Sequence, residues 1–377
     1  MKDSDRSLAT LAVHRASRVD GAVVHPIFVS ANYLQQDVET YADVRYGRLS
    51  NTPQMEALAA TLARLEGAER ALPVSSGMAA ISTALLSSLR PGDHVLVPDN
   101  LYGGTASLLD DLRGLGITSS VFTEERPLGD QVRPETRAIY VEAISNPLLD
   151  IPDLQAVVDV SRQRGLVSII DATFVSPMGF RPVPFGFDLV VHSATKYLNG
   201  HSDVIAGVIA GSGERVARAL TLQHHLGPSL DAHAAFLLDR GLKTLALRVP
   251  RQSESALRVA TFLKEHPAVR VVRHPGLPGD PNHARAAAWF DRPGGMVAFD
   301  VGSDAVATRL LDRLALWTHA ASLGGVESLI VQPSRASHLG LAPEERARLG
   351  ITDTLFRLSV GIEDPDDLVA DLDQALA

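Results

Sequence analysis

Between residues 71 and 210 the chain alternates short apolar runs with helical segments, and this alternation restricts its possible folds more than any other feature. Ala71–Val74, His94–Pro98, Ile117–Phe122, Ala138–Glu142, Leu166–Asp171, Leu189–Val191 and Val204–Ala210 have the length and residue type of strands. Met78–Leu89, Thr105–Leu115 and Leu154–Gln163 have helical spacing. A further helix opens at Thr52-Pro53, a capping hydroxyl followed by a first-turn proline, and ends at Gly67. Strands separated by helices predict an α/β fold with a mostly parallel sheet covered on both faces. Ligands of such sheets bind beyond the carboxyl ends of the strands.

The later chain has a different rhythm. A helical stretch over 237–249 leads to a helix at 253–266 and a strand-like segment at 269–273. After a Gly/Pro-rich loop come strand-like 296–301, a helix over 305–314, strand-like 355–360 and a last helix over 365–375. That spacing predicts a smaller C-terminal α+β domain. The expected division is an N-terminal arm over 1–50, a ligand-binding domain over 51–245 and a C-terminal domain over 246–377. With 377 residues, 45% hydrophobic and 21% charged, the chain has room for two cores. A net charge of -9 with scattered arginines argues against nucleic acid or an anionic membrane as a partner. The absence of cysteine excludes disulfides, thiolate metal sites and a cysteine nucleophile. No run approaches the ~18 apolar residues of a membrane span, and a cytoplasmic protein is expected.

Chemistry concentrates at the predicted strand ends. Lys196 follows the apolar run 189–191 within His192-Ser-Ala-Thr-Lys-Tyr197. A lysine past a strand is ordinarily a surface residue. Desolvated, it becomes a nucleophilic amine able to condense with an aldehyde. Ser76-Gly-Met78, between a strand and a helix, is either a plain cap or an anion cradle at the helix start. Ser193 and Thr195 add hydroxyls that could face the same anion. Asp171 ends a buried run and needs a partner, which could be a helix cap or a protonated ring nitrogen. Tyr102 beside Gly103 and Gly104 is a packed loop tyrosine or a plate for a flat ligand. Arg357, inside an apolar strand, needs an anion, from either a protein or a substrate carboxylate.

A lysine, an anion cradle, an aspartate, an aromatic plate and an arginine together describe a pyridoxal 5'-phosphate site. In these motifs the chain resembles the Cys/Met-metabolism family of pyridoxal-phosphate enzymes. Further matching segments are Tyr46-Gly-Arg48, Ser145-Asn-Pro147, Gly200-His-Ser-Asp203 and Ser322-Leu-Gly-Gly325, in family order over nearly the whole chain. The resemblance implies the aspartate-aminotransferase type of fold, with Lys196 bonding the cofactor and moving protons. It implies Asp171 on the pyridine nitrogen and Tyr102 stacked on the ring. Ser76, Gly77, Met78, Thr173, Ser193 and Thr195 would surround the cofactor, and Asn146, Ser322 and Arg357 would face its hydroxyl or the substrate carboxylate. Tyr46 and Arg48 would complete the phosphate site, and Tyr46 the substrate site, of a neighbouring subunit, in a homotetramer built of two catalytic dimers.

Several positions depart from the family's usual residues. Ala172 stands where Asn is common, Ala321 where cystathionine γ-enzymes often carry Glu, and Gln332 where His is common. Phe174 and Leu323 replace tryptophans typical of bacterial β-lyases. These departures favour α,γ-elimination at a Cγ–heteroatom bond, C–S before C–O, with γ-replacement and cystathionine β-elimination as alternatives. Substrate choice is expected to lie in Ala321, Gln332 and the N-terminal arm. A dinucleotide-binding motif is not supported, because Val216 replaces the third glycine after Gly211-Ser-Gly213. The paired His224 and His225 lack metal-ligand spacing, so no metal is expected.

Overall fold

The computed structural model describes residues 6–14, 18–19 and 21–377. The short helix α1 (Leu8–Val13) precedes an arm with two 3-10 turns, Tyr41–Asp43 and Gly47–Leu49, and then comes α2 (Pro53–Glu66). Thr52 caps α2 by accepting from the Met55 N–H, Pro53 occupies the first turn, and Gly67 closes it at φ +64°.

Seven strands follow: β1 (Arg70–Val74), β2 (His94–Val97), β3 (Thr118–Val121), β4 (Thr136–Glu142), β5 (Val167–Asp171), β6 (Leu189–Ser193) and β7 (Gly207–Gly211). They form one sheet in the order β1-β7-β6-β5-β4-β2-β3. The block from β3 to β6 is parallel, and β7 runs against both of its neighbours. Alternate residues enter opposite cores: Ile170, Val190 and Val208 pack on one face, Ile169, Val191 and Ile209 on the other. Helices α3 (Gly77–Ser88), α4 (Gly103–Arg113) and α5 (Leu154–Arg164) connect the parallel strands, as the spacing predicts. The short helices α6 (Ser176–Gly179) and α7 (Pro182–Phe185) lie between β5 and β6.

Past β7 the structure departs from expectation. A full helix, α8 (Gly213–Leu226), follows the Gly-Ser-Gly turn. Its buried face comprises Val216, Ala219 and Gln223. The expected helix over 237–249 and its successor are instead α9 (Ala232–Leu242) and α10 (Leu245–Glu265). The break falls at Lys243–Thr244, and Pro250 lies inside α10. Proline removes one backbone bond there, but the buried face of Arg248, Val249, Gln252 and Ser253 keeps the helix continuous. The strand expected from Val204 begins only at Gly207, because the Ala206 N–H and carbonyl are both taken by the Thr195 hydroxyl.

A second sheet gathers the C-terminal third. It contains β8 (Val271–Arg273), β9 (Met296–Asp300), β10 (Thr318–His319), β11 (Leu329–Val331) and β12 (Leu355–Ser359), in the order β10-β11-β12-β9-β8. Its core is separate from the two around the large sheet. Helix α10 joins the two units through Arg248, which is buried and donates to the carbonyls of Tyr197 (2.8 Å), Asn199 (3.3 Å) and Gly241 (3.0 Å). These bonds fix the turn directly after Lys196. Replacing Arg248 with Met takes the donor from the Tyr197 carbonyl, while His201 still bonds Asn199 and Thr244 still bonds Gly241, and should lower stability by about 1–3 kcal/mol. Chemical denaturation would measure the loss, and a variant within ~0.5 kcal/mol of the parent would show that the turn holds itself.

Candidate active site

Strands β4, β5 and β6 end side by side, and Glu142, Asp171 and Ser193 stand at those ends. Together with the start of α3, the turn before α4 and loops of the second sheet, they enclose a cavity of about 680 Å³. Another cleft, of about 390 Å³ beside Glu124 and Arg285, has those two charges already paired with each other. The large cavity is where the chemistry lies.

Lys196 reaches it from the turn after β6. Its Nζ donates to the Ser322 Oγ at 2.8 Å, a contact across the two structural units. Burial lowers its pKa to about 8, and the positive charge of Arg357 lowers it in the same direction. Ser322 holds a backbone φ of +121°, a region that costs a non-glycine residue strain and is concentrated at functional sites.

Arg357, on β12, is buried. Its Nη1 donates to the Asn146 Oδ1 at 2.7 Å and its Nη2 to the Ser322 carbonyl at 3.1 Å. Its Nε is buried with no hydrogen-bond partner. Burial lowers its pKa to about 10. The bonded partners of this guanidinium are neutral, and among the described residues no carboxylate meets the expectation of an anion.

At the opposite side, Ser76 caps α3 through the Ala79 N–H (3.0 Å), leaving the N–H groups of Gly77 and Met78 at the open helix start. A Cβ on Gly77 would lie 2.7 Å from the Ser193 Cβ, so only glycine lets the helix start approach this close. Ser193 donates its N–H to the Thr173 Oγ1 at 2.8 Å, and the Thr173 N–H bonds the Asp171 carboxylate at 2.8 Å. Asp171 is held above its usual range by burial, with the bonds from Thr173 opposing the shift.

Tyr102 begins α4 and leans over Gly104, where a Cβ would meet the ring at 2.6 Å. Its N–H donates to the Glu142 Oε1 at 2.6 Å. Glu142 lines the cavity in register with Asp171, and burial with the neighbouring Asp171 charge raises it to about 8. Sequence reasoning missed Glu142, although a carboxylate ending a buried strand is the same signal that singled out Asp171.

The structure thus assembles Ser76, Gly77, Met78, Tyr102, Asn146, Asp171, Thr173, Ser193, Thr195, Lys196, Ser322 and Arg357 around one cavity. Tyr46 and Arg48 are not among its walls. Tyr46 is partly exposed on the arm, and Arg48 lies against the Tyr46 ring and donates to the His224 carbonyl. Ala321, Leu323 and Phe174 line the cavity, but Gln332 does not. Gln332 is buried and donates to the Asp353 carbonyl at 2.9 Å, which corrects its expected part in substrate choice.

These features fit pyridoxal phosphate: an anion cradle, a carboxylate for a ring nitrogen, an amine of lowered proton affinity and an unsatisfied guanidinium for a carboxylate. Fold and site together define an enzyme dependent on that cofactor. Residues 9–377 match the sequence profile of the Cys/Met metabolism PLP-dependent enzymes, and the chain belongs to that family. It is 40% identical to a cystathionine β-lyase of Coxiella burnetii, over 97% of either chain. It is 41% identical to a cystathionine γ-lyase of Bacillus subtilis, over 97% of this chain and 98% of the relative. A crystal structure of cystathionine γ-synthase from Xanthomonas oryzae in complex with cystathionine superposes with a TM-score of 0.93, at 37% identity and 98% coverage of both chains.

The lowered proton affinity of Lys196 has a direct consequence. In cofactor-stripped protein, reductive methylation of Lys196 should rise as pH passes through about 8, because the neutral amine is the nucleophile. Peptide mapping would follow it. A rise only near the ordinary lysine range of ~10 would contradict the burial argument.

Proposed function

We propose that the protein cleaves a Cγ–heteroatom bond of an amino acid by α,γ-elimination, a C–S bond in the first instance. The observation that carries this proposal is the charge distribution of the cavity. Its charged side chains are Lys196, Arg357, Asp171 and Glu142. The rest of the wall includes Phe174, Ile205, Ala321, Leu323 and Val331. Among the described residues that line it in this chain, no further acidic group stands to receive the distal ammonium of a cystathionine-like tail. A substrate with an uncharged tail, such as a thioether, fits this lining.

Arg357 is assigned to the substrate carboxylate, supported by its unsatisfied Nε and neutral partners. Asn146 and Ser322 orient that guanidinium. Bound pyridoxal phosphate supplies the electron sink that acidifies the substrate's Cα–H and then its Cβ–H. Lys196 is assigned to bond the cofactor and to accept the Cα proton, a task suited to an amine whose pKa is near neutrality. Asp171 is assigned to the protonated ring nitrogen, and Tyr102 to the ring face and to departure of the tail. Gly77, Met78, Ser193 and Thr195 are assigned to the phosphate. With one water consumed, the products are a 2-oxoacid, ammonia and the released thiol.

A second copy of the chain is part of the proposal. Tyr46 and Arg48 stand outside this chain's own cavity, on an arm that exposes Val29 (83%) and Leu34 (89%) to solvent. Those apolar residues suit burial against another subunit, where the arm would serve the neighbour's phosphate site. A homotetramer of two such dimers completes the arrangement.

Incubation with methionine, cystathionine and O-acylhomoserines, reading each product separately, tests the reaction. Formation of 2-oxobutyrate with ammonia from an uncharged-tail substrate is expected. Pyruvate would mean β-elimination, and product only when a thiol is added would mean replacement. Mixing Lys196→Ala subunits with Tyr46→Phe subunits tests the shared site. Partial recovery of activity is expected, and none would mean self-contained subunits.

A further inference from the structure

A buried ion pair lies behind the cavity and takes no part in the chemistry assigned above. His192, on β6, and Glu66, the last residue of α2, are 1% and 2% exposed, with Nε2 and Oε1 2.7 Å apart. Burying two charges is costly, and apolar residues of similar volume commonly give equal or greater stability. The second oxygen of Glu66 has no partner, so the pair is not a fully satisfied clasp.

Its position is specific. Register places Val191 beside Asp171, and the Ala172 N–H donates to the Val191 carbonyl at 3.0 Å. His192 is therefore one residue beyond, on the opposite face of the sheet from Asp171, with its ring against the Ala172 backbone. We propose that Glu66 and His192 are positioning residues that keep Asp171 ionised in the cavity, so that it can hold a proton on the ring nitrogen of bound pyridoxal phosphate.

The electrostatics run in the same direction. Burial pulls the imidazole down, but the Glu66 charge, its hydrogen bond and the Asp171 charge together raise it. The His192 charge in turn draws Asp171 down against the burial that raises it. The titratable groups around the relay are Glu66 from α2 and Asp171 from β5. Tyr140 and Glu142 of β4 adjoin Asp171: the Tyr140 hydroxyl draws the Asp171 pKa down, and the Asp171 charge raises both Tyr140 and Glu142.

The inference rests on the cofactor assignment and is tested separately from it. Affinity of the cofactor-stripped protein for pyridoxal phosphate is measured from about pH 5 to about pH 9, with melting temperatures recorded in parallel. The variants are Glu66→Gln and the pair Glu66→Met with His192→Leu, which removes both charges and leaves neither unpaired. Without His192, Asp171 takes up its proton at higher pH. The acid limb of cofactor affinity should then move to higher pH, read as a severalfold loss at a fixed acidic pH, while the paired variant keeps its melting temperature. Glu66→Gln should move the limb in the same direction by less. A limb that stays in place in both variants, with or without a change in melting temperature, overturns the relay and leaves a packing role. Wild-type protein that takes up no pyridoxal phosphate at any pH overturns the cofactor assignment instead.

Discussion

Desolvation of charge at the carboxyl ends of three parallel strands is the constraint on which the rest of the structure depends. Water would screen Lys196, Asp171, Glu142 and Arg357 from one another and restore their ordinary proton affinities. Enclosed in one cavity, each is desolvated, with the Arg357 charge acting on Lys196 and the Asp171 charge on Glu142. Lys196 falls to about 8, Glu142 rises to about 8, and Asp171 rises. An amine near neutrality and carboxylates with altered proton affinity are what proton transfer at carbon requires.

Such a cavity needs rigid walls from both structural units. The large sheet supplies Asp171 and Glu142 at adjacent, in-register positions, so their separation is set by the strand spacing. The second sheet supplies Arg357 on β12 and, through the loop before β11, Ser322. The bond from Lys196 to Ser322 and the bonds from Arg357 to Asn146 and Ser322 cross between units. Arg248 performs the same joining for the turn after Lys196. The arm is the complementary case: Leu11, Ala12 and Leu49 are buried against this chain, whereas Val29 and Leu34 are exposed, and Tyr46 and Arg48 lie outside the cavity.

The family resemblance covers enzymes of different reaction type at nearly equal identity, 40% to a β-lyase and 41% to a γ-lyase. The cofactor machinery is common to both outcomes, since each begins with loss of the Cα proton. In this chain the cavity wall includes Ala321, Phe174, Leu323 and Ile205, which supply packing but no charge.

Much of this was legible in the residue order. Alternating strand and helix periods predicted the parallel sheet, and short motifs located Lys196, Asp171, Tyr102, Ser76-Gly-Met78 and Arg357, because each of these depends on local chemistry at a strand or helix end. Helix α8 was passed over, and the break near Pro250 was misplaced because packing outweighed local propensity. Glu142 was passed over and Gln332 wrongly included, since whether a side chain enters a cavity depends on contacts far apart in the chain. The same holds for the Glu66–His192 pair, whose members are separated by 126 positions. Local sequence decided which groups could do chemistry; only tertiary packing decided which of them lost their water and which charges they face.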